Sequence, residues 1–367
     1  MLLGIEARGD VEIYHGHIER AFEGANPYEG KDAFGYPPLA FIFVALPYVA
    51  GGRSSDAYYQ LYRAQCYAVD ALAFYLLTRS VRKDGYLLAY VLGTAVLGNL
   101  LYHRLDIALG LLLILVVHLH DRGRWLAAHA FLGLSMAFKV IPIVLVPAAL
   151  ALEARRSWRR SCLGSLMIVM GAGAPTAVGY LAWGAPSVFF LGDHAERGVQ
   201  LESTWASVEL LLMEMGALRG AVYWGAGSHN LHTVFEAAIV RWSHVLTGIV
   251  ALGGVGLAFA TPRGNPAPAF AATLGGCLAA SKVFSPQFLL FLFPLCVVSA
   301  ERGRRPEIAV LLILVSALTT WVYPYHEQAL VALDGVAVAP LILRNALFLA
   351  LTVALYGAAL SRNERER

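Results

Sequence analysis

Residues 105–119 read LDIALGLLLILVVHL, and the fold class follows from this stretch. After Asp106 eleven apolar residues run to Val117 without a charge and without alternation of period two, which excludes the wall of a transmembrane barrel. In hydrocarbon the backbone N–H and C=O groups must be satisfied inside the segment, so the stretch forms a helix. Working outward, comparable runs with short polar punctuation recur from Ala57 to Leu360. The whole chain of 367 residues is 58% hydrophobic and only 14% charged, far below the roughly 25% charged residues of soluble domains. Its mean hydropathy is +0.60. The fold class is therefore all-α, a polytopic transmembrane bundle.

Basic residues sit in short clusters between the apolar runs: Arg79/Arg82/Lys83, Arg122/Arg124, Arg155/Arg156/Arg159/Arg160, Arg302/Arg304/Arg305 and Arg362/Arg365/Arg367. The positive-inside rule places all five in the cytoplasm. An even number of crossings must then separate neighbouring clusters, and the runs 57–79, 86–102, 105–120, 125–138, 140–153, 161–183, 234–260, 267–281, 286–300, 307–323 and 341–360 supply them, about 11 in all. The turns at His103–Asp106, Lys139 and Lys282 and the loops 184–232 and 324–340 then face outward. So does the segment 1–56, in which residues 38–50, about 20 Å long as a helix, are too short to cross and form an interfacial juxtamembrane helix. An outer N-terminus with no preceding span leads to the expectation that one inside-to-outside helix is missing ahead of residue 1. The chain reads as one membrane domain of 1–367, divided into 1–56, the helical group 57–183, the loop 184–232, the group 233–361 and the tail 362–367.

Cys66, Cys162, Cys277 and Cys296 lie in apolar segments without metal or haem spacing and read as small core residues. The net charge of +3 is too small for a nucleic-acid partner. No clustered Asp/Glu/His set argues for a held metal, so no cofactor is expected, although a divalent ion is compatible with the sequence.

The unusual polar residues gather on the expected outer side. Asp10 opens the first segment, with Tyr14 and Ile18 following at helical spacing. HRLD puts Arg104 and Asp106 at a turn between short spans, FKVIP does the same for Lys139, and SKVFSPQF for Lys282 and Gln287. Ionisable groups at such positions are costly unless they line a cavity or a ligand site. Snorkelling to the interface is the alternative for either lysine alone. Both lysines precede a proline within four residues, which breaks the helix and favours a shaped pocket. Asp70 and Arg63, seven residues apart on one helix face, read as a structural pair. The segment HAERGVQLES, with His194, Arg197, Gln200 and Glu202, is dense in hydrogen-bonding groups, and His326 in YPYHEQ is a further candidate; either could equally be solvated loop.

Cations and a carboxylate at headgroup depth suit a lipid-linked sugar: Arg104, Lys139 or Lys282 would hold its phosphate, and a carboxylate would take the proton of an acceptor hydroxyl attacking the anomeric carbon. The partners expected are a polyprenyl-phosphate sugar donor, a lipid or glycan acceptor and membrane lipids. A transporter or flippase, or a non-catalytic subunit of envelope assembly, is the rival reading; a transporter would place its polar residues near the midplane instead.

GDVEIY, GANPY, YPPL, HRLDIALGLLLIL, GLSMAFKVIPIVLVP, HAERGVQLES, SHN and SKVFSPQFLLFLFPL together resemble bacterial membrane proteins of the GT-C superfamily, nearest to the family-87 polyprenyl-phosphate-mannose-type glycosyltransferases. The resemblance runs from about residue 9 to 345. It implies that Asp10 is the catalytic base, that Asp106 matches a second acidic position, and that a juxtamembrane helix follows the first loop. It adds Tyr14, Asn26 and Tyr36 of the first segment to the substrate-binding candidates. The activity it implies is transfer of a hexose, of mannose type, at the outer face of the cell membrane and into the cell envelope.

Overall fold

The computed structural model describes residues 9–30, 33–190, 192, 197–261 and 265–361. His194 and the tail 362–367 lie outside the described residues.

The chain opens with two short helices, α1 (Asp10–Phe22) and α2 (Pro38–Val49). The first carries Asp10, Tyr14 and Ile18 at their helical spacing; the second is the juxtamembrane helix, started by Pro37 and Pro38. The bundle follows: α3 (Ser55–Ser80), α4 (Asp84–Leu97), α5 (Asn99–His103), α6 (Asp106–Asp121), α7 (Trp125–Phe138), a 3-10 turn (Ile141–Leu145) running into α8 (Val146–Ala154), and α9 (Trp158–Trp183). Then come α10 (Thr204–Glu214), the hairpin β1 (Gly220–Gly225) and β2 (Ser228–Thr233), and α11 (Glu236–Ala260), α12 (Pro266–Ala280), α13 (Phe288–Arg302), α14 (Pro306–Thr320), α15 (Glu327–Val331) and α16 (Gly335–Leu360). Every expected crossing corresponds to a helix, and the protein is a multi-pass membrane protein.

Helix length sorts with position. α9 and α11, of 26 and 25 residues, turn Val169, Met170, Leu181, Ile249 and Leu252 outward, as lipid-facing helices do. α12 and α13 have 15 residues each, and every side chain from Pro266 to Leu278 and from Phe288 to Ala300 is buried. Fifteen residues rise about 22 Å, less than the roughly 30 Å of a hydrocarbon core. The central helices therefore stop short, and the turns at their ends can line a recess. Close approach is secured by small residues: a Cβ on Gly133 or Gly171, where α7 crosses α9, would meet backbone atoms at 2.2 and 2.1 Å, and one on Gly110 would meet the Leu290 carbonyl of α13 at 2.8 Å.

The described basic clusters all lie at one end. There Glu301 accepts from the backbone of Arg82, Arg302 pairs with Asp121, and Arg155 donates to the carbonyl of Thr261. The opposite end carries the segment after α9. That segment is a folded cap rather than a loose loop, with a small core of Val199, Leu201, Leu210, Leu231, Val322 and Leu341. Its hairpin turns on Ala226–Gly227, both at positive φ, as a two-residue turn of type I′ requires.

One pairing read from the sequence does not form. Asp70 accepts from the Tyr90 hydroxyl at 2.8 Å, whereas Arg63 reaches the Tyr67 hydroxyl and lies over the Tyr59 ring. A seven-residue offset is two helical turns, about 10 Å, and nearer partners win.

Candidate active site

Asp10 is the first residue of α1, where a carboxylate is favoured by the helix dipole. Its Oδ2 accepts from the Arg104 guanidinium and, at 3.4 Å, from the hydroxyl of Tyr14 one turn on. Arg104 follows α5 in extended backbone, and its Nη2 also donates to the Tyr323 hydroxyl at 2.9 Å. Three distant segments thus meet at one ion pair.

Two residues later the chain does something different. Asp106 opens α6, is 0% exposed, and accepts from Lys139 Nζ at 2.6 Å. Lys139 sits in the break between α7 and the 3-10 turn with its ammonium over the rings of Phe288 and Tyr36, at 4.8 and 5.5 Å. Among the described residues Asp106 Oδ2 has no hydrogen-bond partner.

A cavity of about 280 Å3 opens between these two ion pairs, with Arg104, Lys139 and Arg197 as its cations and Asp10, Glu202 and Glu327 as its carboxylates. Asp106 is not on its wall. Tyr36, Gln200, Gln287, Ser285, Trp224 and His229 are among its other polar lining groups. A second cavity, about 360 Å3, shares Asp10, Arg104, Tyr323 and Glu327 and extends to Leu100, His103 and Gln328. A third, about 210 Å3 and mainly apolar, shares Lys139 and Phe288 with the first and runs past Ile141, Ile143, Thr247 and Val283, with Lys282 on its wall. The polar cavity therefore has an apolar groove on one side and a second chamber on the other.

The cap is held against the bundle by buried side chains of the link between α12 and α13 and of α16. The Gln200 side chain exchanges hydrogen bonds with Ser285, its backbone N–H donates to the Lys282 carbonyl at 2.9 Å, and Lys282 Nζ donates to the Arg197 carbonyl. Asn345 donates to the carbonyls of Glu202 and Ser203 and to Ser207, while Arg344, 1% exposed, reaches the Glu202 carbonyl and lies 3.9 Å over the Phe284 ring. The Glu202 carboxyl is lifted by burial to about 7, with Arg344 pulling against the shift and Glu327 adding to it.

Of the residues singled out in the sequence, Asp10, Tyr36, Arg104, Lys139, Arg197, Gln200, Glu202 and Gln287 line the polar cavity. Four others sit elsewhere. Tyr14 is buried and donates to Asp10 at 3.4 Å. Asn26 clamps its own loop, donating to Glu29 and to the Trp183 carbonyl. His326 stacks on Trp321 and bonds its carbonyl at 2.8 Å, which turns the ring off the cavity wall and leaves the place to Glu327. Lys282 lies on the apolar groove, not in the polar cavity. Sequence reasoning missed Tyr323, Glu327, Trp224, His229, Arg344 and Asn345. A signal existed for the last two, because LRN interrupts the otherwise apolar run 336–360.

The family described as Glycosyltransferase family 87 matches residues 34–286. No curated protein matches the chain. Among solved structures, ArnT from Cupriavidus metallidurans bound to undecaprenyl phosphate is similar at 16% identity and a TM-score of 0.40, over 98% of this chain and 73% of that one. Its apo state gives 15% identity and the same TM-score, over 95% and 72%.

Proposed function

The chain belongs to glycosyltransferase family 87 and is a membrane glycosyltransferase, and we propose that it moves a hexose, of mannose type, from a polyprenyl-phosphate donor to a lipid or glycan acceptor on the outer face of the cell membrane. The observation that carries this reading is the continuity of an apolar groove with a polar, cation-bearing cavity through the shared Lys139 and Phe288. A polyprenyl chain fits the groove, its phosphate meets Lys139 with Arg104 and Arg197 nearby, and the sugar occupies the polar cavity among Glu202, Gln200 and Gln287. The second chamber, across the Asp10 wall, receives the acceptor.

In this reading Asp10 takes the proton of the acceptor hydroxyl as its oxygen bonds to the anomeric carbon. The bond from that carbon to the phosphate oxygen breaks, its electron pair stays on the phosphate, and the leaving polyprenyl phosphate is stabilised by the cations. A single displacement inverts the anomeric configuration. The Arg104 guanidinium, which is bonded to Asp10, is the group a donor phosphate competes for. Its transfer from carboxylate to phosphate frees the base only once donor is bound. Asp106 holds Lys139 in place from behind and makes no contact with substrate. The positive-inside rule supports the outer placement of the site, since the basic clusters occupy the other end of the bundle.

The test is sugar transfer from radiolabelled polyprenyl-phosphate mannose by the purified protein in nanodiscs, with Asp10→Asn as control. Transfer lost in the variant supports the reading. Donor movement across the bilayer without any transfer would make the protein a flippase.

A further inference from the structure

We propose that the end of the bundle opposite the catalytic cavity carries a second ligand site, which binds a phosphate-bearing anion such as the headgroup of an acidic lipid. A cavity of about 660 Å3 lies there between the C-terminal ends of α3, α6 and α13, with the link from α3 to α4 as one wall. Its cations are Arg79, Arg82, Lys83, Arg302 and Arg304, and its only acids among the described residues are Asp121 and Glu301. Five positive and two negative charges leave +3 in this one hollow, equal to the formal net charge of the whole chain.

The two acids do not neutralise the cluster evenly. Asp121 is taken by Arg302, and Glu301 accepts from the backbone N–H groups of Arg82 at 2.8 Å and Lys83 at 3.1 Å. That clamp fixes the backbone of the link against α13, and its carboxylate is used on amides and not on the two side-chain cations. Arg79 donates to the Tyr75 hydroxyl. Among the described residues the side-chain charges of Arg82, Lys83 and Arg304 have no ion-pair partner. Ser80 Oγ, buried at the same wall, has no hydrogen-bond partner either. The positive-inside rule accounts for basic residues at this end. It accounts neither for their convergence on one concavity nor for a carboxylate spent on backbone amides. Converging Arg and Lys donors around a hollow are what a phosphate requires. Asp121 lies fifteen residues along α6 from Asp106, about 22 Å, so this site takes a headgroup from the other leaflet and not the donor at the catalytic cavity. The inference stands independently of the glycosyl-transfer reading.

The experiment is a thermal-unfolding series on the full chain in phosphatidylcholine nanodiscs, with and without phosphatidylglycerol, and in detergent titrated with inorganic phosphate. Retained lipid is counted by native mass spectrometry. Phosphatidylglycerol should raise Tm and be retained, and Arg82→Gln/Arg304→Gln should cut retention by about fivefold for each cation removed, the scale of a basic residue near an anionic surface. Arg82→Lys/Arg304→Lys should keep most of it, and Arg156→Gln/Arg159→Gln, at the same end but outside the cavity, should keep all of it. Stabilisation by inorganic phosphate but not by phosphatidylglycerol identifies a soluble anion as the ligand. If the Gln variant does not fold, the wild-type titrations decide. Absence of any effect of either anion, or equal loss in both Gln variants, overturns the proposal.

Discussion

Asp10 and Arg104, ninety-four residues apart, form an ion pair on the wall that two cavities share, and Arg104 is bonded at the same time to Tyr323. A carboxylate in that position is held still and partly neutralised.

Asp10→Asn keeps size and hydrogen bonding but loses proton affinity. Turnover should fall by roughly 10²- to 10⁴-fold while donor affinity survives. Arg104→Gln should act in the other sense, weakening donor binding because a charge-assisted bond to phosphate is gone. Steady-state kinetics with equilibrium donor binding separates the two, and near-normal turnover in Asp10→Asn would remove Asp10 from the chemistry.

The buried pair of Asp106 and Lys139 should answer to stability first. Asp106→Asn strands a buried ammonium, at a cost of about 3–5 kcal/mol. Replacing both, as Asp106→Leu/Lys139→Met, should restore most of the lost Tm but not donor affinity. If the double variant bound donor normally, Lys139 would have no part in holding the phosphate.

Glu202 gives a pH dependence whose sign is fixed. Its carboxyl is raised by burial from an ordinary 4.5 to about 7, so the folded state binds the extra proton between those values. The associated stabilisation is present below about pH 4.5 and lost as pH rises to about 7. Glu202→Gln imitates the protonated form. The Tm of the variant should match wild type at pH 4.5 and exceed it at pH 8; a gap that narrows with rising pH contradicts the assignment.

Orientation is checked in cells expressing a Cys162→Ser background. A cysteine at Met215, 70% exposed on the cap, should react with an impermeant thiol reagent, and one at Ser157, between basic residues, should not. Labelling at 157 alone would invert the bundle and place the catalytic cavity in the cytoplasm.

The sequence by itself determined the membrane class, the crossings and the end of the bundle to which Asp10, Arg104, Lys139 and Gln200 belong. Hydrophobic runs and basic clusters are local properties, and the cost of leaving backbone or charge unsatisfied in lipid converts them directly into topology. The hairpin was harder to read, because strand pairing between Gly220 and Thr233 depends on a cap core built with Val322 and Leu341 from a hundred residues on. Which carboxylate faces the cavity was decided only by tertiary structure. Asp10 and Asp106 look alike in sequence, each an acid opening a helix. Arg104, in extended backbone just past α5, and Asp106, the first residue of α6, flank a break between two helices, and the folded chain gives each a different partner. One thereby reaches Asp10 at the cavity, and the other is buried against Lys139. No pattern along the chain encodes that division, since it depends on which neighbour the folded bundle brings within reach.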